Sequence, residues 1–217
     1  MLFRSSAAAA SSSAANSPFR NASQREQDRQ AKRQALLLAA ARMFNARGFH
    51  ATSLDDVAAS VGVTKPTVYH HLGNKEQVLI ECMAIGLAQL QDAAETARSE
   101  PGLGIDRLRA FLIRYVLVNI AEFGQCVIRT GDELLSPEGL EKLRSMKRPI
   151  DEAMRAFISE GIEDGSIAPC DVRMMAFALA GALNWPARWF DRDGELDGQE
   201  IAKRLVASLE AGFAPRA

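Results

Sequence analysis

The segment VTKPTVYHHLGNKEQVL, Val63 to Leu79, gathers Thr64, Lys65, Thr67, Tyr69, His70, His71 and Lys75 in one short run. Hydroxyls, free amide N–H groups at a helix start and an ammonium are the donors that phosphate oxygens and base edges pair with. Thr64, Lys65 and Thr67 supply that set together, Tyr69 can reach a phosphate with its hydroxyl, and Lys75 opens the next helix as a second anchor. A metal site is the poorest alternative, because His70 and His71 are neighbours and neighbouring helix residues do not face each other. Cys82, Cys126 and Cys170 are widely spaced and match no ligand pattern, so neither zinc nor a disulfide framework is signalled. No Ser, Cys or carboxylate pair stands in a nucleophile setting, and the GLG at Gly102 to Gly104 precedes no strand-to-helix phosphate motif. No catalysis, metal or cofactor is therefore expected. The competing reading of the run packs Tyr69 on the core and leaves the His pair merely solvated.

Groups of this kind act only if helices hold them. The spacing predicts a helix from Arg25 to Arg47, with Leu36, Ala40, Met43 and Phe44 recurring on one face and Gly48 just past its end. Thr52 or Ser53 caps a short second helix, LDDVAASV, with Asp55 or Asp56 in the positive first turn and Leu54, Val57, Ala58 and Val61 on one face. Beyond Gly62, Thr64 caps a third helix that takes Pro66 in its first turn and is anchored by Val68 and Leu72. With those two inward, Thr67, Tyr69, His70 and His71 must face outward or sideways. Gly73 ends this helix, Asn74 caps the next, and a long amphipathic helix runs from about Lys75 to Ser99. Two short helices joined across Gly62, with the small Ala58 at their crossing, form a helix-turn-helix whose second member lies in the DNA major groove.

The formal net charge of −1 conceals a split. Residues 1–75 hold 10 Lys/Arg against 4 Asp/Glu, and residues 76–217 hold 16 against 23. A basic module thus precedes an acidic body, as expected of a chain that touches a polyanion with one end. At 217 residues, 47% hydrophobic, the chain has material for one large domain or two small ones. No apolar run approaches the ~18 residues of a membrane span, and the N-terminus lacks the apolar core of a secretory signal, so a cytoplasmic protein without a membrane partner is expected. Residues 1–24 are Ala/Ser-rich, carry Arg4 and Arg20 without any acid, and read as a disordered arm. A transit peptide or a misassigned start shares that composition.

The run ARMFNARGFHATSLDDVAASVGVTKPTVYHHLGNKEQVL, Ala41 to Leu79, resembles the DNA-binding domain of TetR-family transcriptional regulators. The resemblance rests on Phe44, Gly48 and Phe49 closing the first helix, Thr52 and Ser53 opening the second, Ala58 and Gly62 in the turn, then Val68, Tyr69 and His71 before Lys75, Glu76 and Leu79. Pro66 stands where the family often has glycine or another small residue. The resemblance implies an all-α homodimer. Its N-terminal helix-turn-helix domain, residues 25–74, would bind half of a double-stranded DNA operator, and its helical body, residues 75–217, would dimerise and bind a small effector that relieves repression. Thr52, Ser53, Thr64, Lys65, Thr67, Tyr69, His70 and Lys75 are the implied DNA-binding residues.

The body reads as helices from Ile105 to about Phe123, through Val127 to Leu135, from Pro137 to about Gly165, from Asp171 to Trp189 and from Asp197 to Gly212. MMAFALAGAL, Met174 to Leu183, is apolar around most of its circumference and must be buried inside the monomer or in an interface. The last helix shows a stripe of Ile201, Leu205, Leu209 and Phe213; by the resemblance these two helices form the homodimer as a four-helix bundle. In GALNWPARWFDRDGEL, Pro186 frees the carbonyl of Ala182 beside Trp185, Arg188 and Trp189, which makes either a helix end with two core aromatics or the kinked wall of a ligand pocket. The Asn-Trp-x-x-x-Trp-Phe segment, its acidic loop and the following EIA resemble TetR regulators that sense acyl-CoA thioesters. That implies Arg114, Arg129, Arg188 and Arg192 for the CoA phosphates and Phe111, Tyr115, Trp185 and Trp189 for the acyl channel. Each Arg has the alternative of a surface ion pair. Two rivals stand beside this reading: a helical small-molecule carrier or enzyme with an incidental basic module, and a DNA-binding dimer with no effector.

Overall fold

A computed structural model describes residues 22–213, and every regular element among them is helical. The arm expected over residues 1–24 lies outside the described residues except for its last three, which begin the first helix. That helix, α1 (Ala22–Arg47), buries Leu36, Leu37, Ala40, Ala41 and Phe44 and stops at Gly48, whose φ of +83° only glycine adopts without strain. α2 (Leu54–Ser60) starts on a reciprocal cap, in which the Ser53 hydroxyl accepts from the Asp56 amide (3.1 Å) and the Asp56 carboxylate accepts from the Ser53 amide (3.2 Å). α3 (Lys65–Leu72) follows a turn through Gly62 at φ +69° and carries Pro66 in its first turn, where no intrahelical donor is needed. Val57, Ala58, Val68 and Leu72 interlock α2 and α3 over α1, so sequence and structure agree on the module.

α4 (Lys75–Arg98) is capped by Asn74 in exchange with Gln77 and forms one wall of the body, burying Val78, Leu79, Cys82, Met83, Leu87 and Leu90. α5 (Gly104–Ile120) and the long α7 (Pro137–Glu163) pack against it, with the rings of Phe111 and Phe157 5.5 Å apart at the centre. α5 ends three residues before the expected Phe123. Ala121 is extended (φ −78°, ψ 163°) and α6 (Glu122–Arg129) leaves at 85° to α5. Tertiary contact makes this corner: a Cβ on Gly124 would overlap the Val118 carbonyl, and one on Gly86 of α4 would lie 2.7 Å from the Phe123 carbonyl oxygen. The expected segment from Val127 to Leu135 is accordingly divided between the end of α6, a bend and a 3-10 turn, Asp132–Leu134.

The expected helix from Asp171 to Trp189 is two pieces, α8 (Val172–Asn184) and the single turn α9 (Pro186–Trp189), with Pro186 opening the second. α10 (Gly198–Phe213) begins where Asp197 accepts the Glu200 amide at 2.7 Å. Its Ile201, Ala202 and Val206 are buried and Leu205 and Leu209 pack on the same core, beside an Arg109–Glu210 ion pair to α5. The apolar stripe expected to meet a partner is therefore used largely within the chain. What α8 leaves outside is a different line, Met174, Phe177 and Gly181, and on α10 it is Ala207 and Ala211. No single helix among the described residues is long and apolar enough to cross a membrane.

Candidate functional site

The outer face of α3 is polar because its inner face is fully used. Val68 is wholly buried while Thr64, Lys65, Tyr69 and His70 are exposed, Tyr69 at 48%. The hydroxyls of Thr64 and Thr67 lie 2.9 Å apart at the helix start, where Thr64 makes no side-chain cap; Pro66 has no amide donor and the Thr67 amide donates to the Thr64 carbonyl at 3.0 Å, so hydroxyls rather than a row of free amides face outward there. Lys65 pairs with Asp55 of α2 at 2.8 Å, which raises its pKa and keeps it charged, and sits 5.7 Å from the Tyr69 ring centre. Lys75 lies over the Phe49 ring (4.3 Å) and reaches the His50 carbonyl at 3.4 Å. Ser53, also exposed, has its hydroxyl engaged in the α2 cap. His70 and His71 meet edge to face, 5.3 Å between centres.

Thr52 is a correction. Its side chain is 1% exposed, and its hydroxyl reaches inward to the carbonyl oxygens of Gly48 (2.9 Å) and Met43 (3.3 Å). It ties the end of α1 to the start of α2 and offers nothing to an outside partner. An N-cap pattern with two adjacent hydroxyl residues did not tell which one faces in.

Several polar contacts join this module to the body. Glu122, the first residue of α6, holds Arg42 of α1 at 2.9 Å and Arg192 at 2.7 Å, and its carbonyl accepts from Asn45 at 2.8 Å. Burial works against the Glu122 carboxylate, yet its own amide and the two guanidinium groups hold its pKa below the usual range. Arg33 of α1 donates to the His71 carbonyl (3.2 Å) and pairs with Glu81 of α4 (2.6 Å). Glu76, in the first turn of α4, accepts the amide of Ser136 at the start of α7 (2.6 Å).

Arg129 is spanned between elements. Its Nε donates to the Ala187 carbonyl (2.7 Å) and one terminal nitrogen to the Arg188 carbonyl (3.4 Å), both in α9; the other donates to the Asn45 carbonyl in the last turn of α1 (3.2 Å). The guanidinium expected at a phosphate is engaged by backbone of both domains. Arg114 bonds the Ala110 carbonyl and Glu100 (2.5 Å), Phe111 is wholly buried between Tyr115 and Phe157, and neither lines the chamber of the body or its adjoining cleft.

Between α4, α5, α6, α7 and α8 lies a chamber of about 240 Å3, walled by Leu87, Leu90, Val127, Ile150, Met154 and Ala176 with Tyr115, Asn184, Lys147 and Asp151 as its polar points. The Tyr115 hydroxyl (3.1 Å) and the Asn119 amide (2.9 Å) both donate to Asn184 Oδ1, and burial pushes the Tyr115 pKa up to about 12. Asn119 is wholly buried with its own Oδ1 unpartnered. A more open cleft of about 400 Å3 adjoins the chamber, shares Val127, Ile128, Lys147 and Asn184 with it, and adds Trp185 and Arg188. Trp185 is 62% and Trp189 51% exposed, so neither is a core aromatic, and Trp189 lines neither cavity. Sequence reasoning missed Lys147 and Asn119 and named Asn184 only within the Asn-Trp-x-x-x-Trp-Phe segment, without a role; the lone Asn in the apolar run of α5 was the signal for its buried partner.

A three-helix module with an exposed polar reading helix, laced to a helical body that encloses a chamber, defines a DNA-binding regulator with a ligand-binding domain. Residues 36–82 match the bacterial regulatory proteins of the tetR family, and residues 102–213 match the tetracyclin repressor-like C-terminal domain. The chain belongs to the TetR family of helix-turn-helix transcriptional regulators, the class expected ahead of a carrier or enzyme. The TetR-family regulator PfmR from Thermus thermophilus is 31% identical and superposes with a TM-score of 0.74, covering 80% of this chain and 96% of that one. The repressor KstR2 of Mycolicibacterium smegmatis is 27% identical, over 84% of this chain and 91% of its own. The structure of AibR in complex with isovaleryl coenzyme A and operator DNA is 27% identical, with a TM-score of 0.72 over 82% of this chain and 97% of that one.

Proposed function

We propose that the protein acts as a homodimer on a near-palindromic operator, with one α3 in each of two successive major grooves about 34 Å apart. Ser53, Thr64, Lys65, Thr67, Tyr69, His70 and Lys75 make the contacts, Tyr69 and Lys75 to phosphate and Thr67 and His70 to base edges. The exposed line on α8 and the small residues on α10 are the dimer surface; Met174 and Phe177, half exposed in the monomer, are what a partner would cover.

The effector is a short-chain acyl-CoA thioester. The observation that carries this is the union of a small apolar chamber with a cleft that is cationic and aromatic at its mouth. Pockets for drug-sized ligands run to about 300–1,000 Å3, so the chamber alone suits a short acyl group. Lys147 and Arg188 meet the anionic part, and the exposed Trp185 offers a face for the base to stack on. The bound isovaleryl coenzyme A in the AibR structure supports the class.

Occupancy reaches DNA through α7 and α9. α7 carries both Lys147 at the cavity and Ser136 at Glu76, and α9 carries Arg188 next to the carbonyl groups that Arg129 links to α1. The experiment is fluorescence polarisation on the protein's own upstream DNA, with acyl-CoAs of graded chain length, and light scattering for the oligomeric state. Release by short but not long thioesters is expected, and operator must weaken effector binding by the same factor. Binding indifferent to every thioester, or a monomer at binding concentrations, overturns the corresponding part.

A further inference from the structure

From Gln24 onward α1 buries no side chain before Leu36, and Arg33 is tied to α3 and α4, so the helix extends past the module by about 15 Å at 1.5 Å per residue. Nothing in that stretch is apolar enough to need a covering partner: it reads SQREQDRQAKRQA.

Its charges are ordered. At 3.6 residues per turn Arg25, Arg29, Lys32 and Arg33 fall within an arc of about 100°. That arc overlaps the direction in which Leu36 and Ala40 point into the core, so it looks along the module rather than away from it. Arg33 fixes its position, since its Nε donates to the His71 carbonyl in the last turn of α3. One turn outward, about 6 Å along the axis, comes Arg29, and one turn further Arg25. The basic face therefore passes the carbonyl end of the reading helix and continues beyond it. In agreement, burial first and then the charges of His70, Arg29, Lys32 and Arg33 lower the His71 pKa.

Arg25, Arg29 and Lys32 are exposed, and Arg25 and Lys32 have no ion pair among the described residues. Arg29 pairs with Glu26 at 2.8 Å, both largely exposed, a contact of the weak surface kind that a phosphate can displace. Glu26 and Asp28 lie at the edges of the arc.

We propose that the overhanging half of α1 is a second DNA-contacting element, in which Arg25, Arg29 and Lys32 grip phosphates flanking the groove that α3 enters. It rests on the reading of α3 as the DNA-contacting helix. A groove-bound helix has a phosphate strand bordering the groove beyond its end, and the arc continues in that direction. Such contacts add affinity on every sequence and carry no base preference.

The test uses the full chain and a fluorescein-labelled 30-base-pair duplex of random sequence, titrated by polarisation from 50 to 300 mM KCl. Each neutralised phosphate adds about 0.9 to the slope of log K against log salt. The variant Arg25→Ala/Arg29→Ala/Lys32→Ala should lose about 2 to 3 from that slope. Alanine is the best helix former, so the helix itself is retained, which circular dichroism checks. A control variant of exposed α7 cations, Arg144→Ala/Arg148→Ala, which leaves Lys142 beside the end of α3 untouched, should keep the wild-type slope. An unchanged slope in the α1 variant, or an equal loss in the α7 variant, overturns this proposal alone. A wild type that binds no duplex at any salt overturns it together with the reading on which it rests.

Discussion

Replacing Thr52 by Val keeps the shape of a wholly buried side chain and removes only its hydroxyl. In the wild type that hydroxyl serves the Gly48 carbonyl at 2.9 Å and the Met43 carbonyl at 3.3 Å. The helical Met43 carbonyl has an amide partner in its own helix, so the Gly48 carbonyl bears the loss. Gly48 is itself exposed, so water can reach its carbonyl, and the loss is that of one net hydrogen bond, about 0.5–1.5 kcal/mol. Thr52→Val should therefore destabilise the fold by about 0.5–1.5 kcal/mol, which at about 2–4 °C per kcal/mol for a chain of this size lowers Tm by roughly 1–6 °C. Thermal unfolding is followed at one fixed protein concentration, because association shifts Tm. DNA affinity is then measured by polarisation at 20 °C, where both proteins are folded, and should match the wild type within twofold. Thr64→Val is the mirror case: an exposed hydroxyl bonded to Thr67, expected to leave stability within about 0.5 kcal/mol of the wild type and to weaken DNA binding. A Thr52→Val protein with unchanged Tm but impaired DNA binding would refute the inward assignment.

Tyr69→Phe and Lys75→Ala should each weaken binding by a similar factor on operator and random DNA, the latter with a smaller salt slope; a change confined to the operator contradicts their phosphate role. Arg129→Lys loses the fork that bonds α9 and α1 together, so it should leave effector and operator affinities near wild type while bringing the factor by which each weakens the other toward one, measured by titrating either ligand with and without the second. Glu76 has its pKa lowered by the Ser136 hydroxyl and amide, so its stabilising contribution is complete above the unfolded value of about 4.3 and disappears as pH falls through the lower folded value. The urea midpoints of wild type and Glu76→Gln should thus differ at pH 6 and converge as the pH falls through that lower folded value. Cys82 and Cys126 are buried, their thiols donating to the Leu37 and Ala41 carbonyls, and the neighbouring Cys126 thiol together with burial raises the Cys82 pKa steeply, so an aromatic disulfide reagent should label Cys170 in the native protein and all three thiols only in denaturant.

The DNA-binding module was legible because its instructions are local. Gly48, Gly62 and Gly73 all take positive φ, Ser53 and Asn74 cap, and the apolar residues between them alternate with helical period, so each element is dictated within a few residues. The body was legible only as helices. The corner at Ala121 has no proline and no turn sequence; it exists because Gly124 and Gly86, far apart in the chain, allow backbone to approach backbone. The same blindness to distance explains the site residues. Arg129 reads as a cation for a ligand phosphate until the carbonyl groups of Ala187 and Asn45 are seen beside it, and Trp185 stays open between core aromatic and pocket wall until α8 is found to end one residue earlier and leave it exposed on the cleft. Lys147 sits on the polar face of α7 with nothing in its neighbours to say that this turn closes a chamber.

The close approach at Gly86 and Gly124 divides the chamber wall into two kinds of territory. On α6 the residues Val127 and Ile128 belong to a helix with no slack: its backbone lies against α4 on one side and against the end of α5 on the other, and it also carries Arg129. On α7 and α8 the lining residues Ile150, Met154, Ala176 and Ala180 are ordinary side chains on helices that no glycine contact locks at that point. Selection for altered effectors would then run along α7 and α8, where volume can be traded between neighbours. Substitutions on α6 would more often uncouple the reading head than retune what it senses. A library restricted to those four positions leaves Lys147, Glu76 and Arg129 in place while it searches for a new inducer.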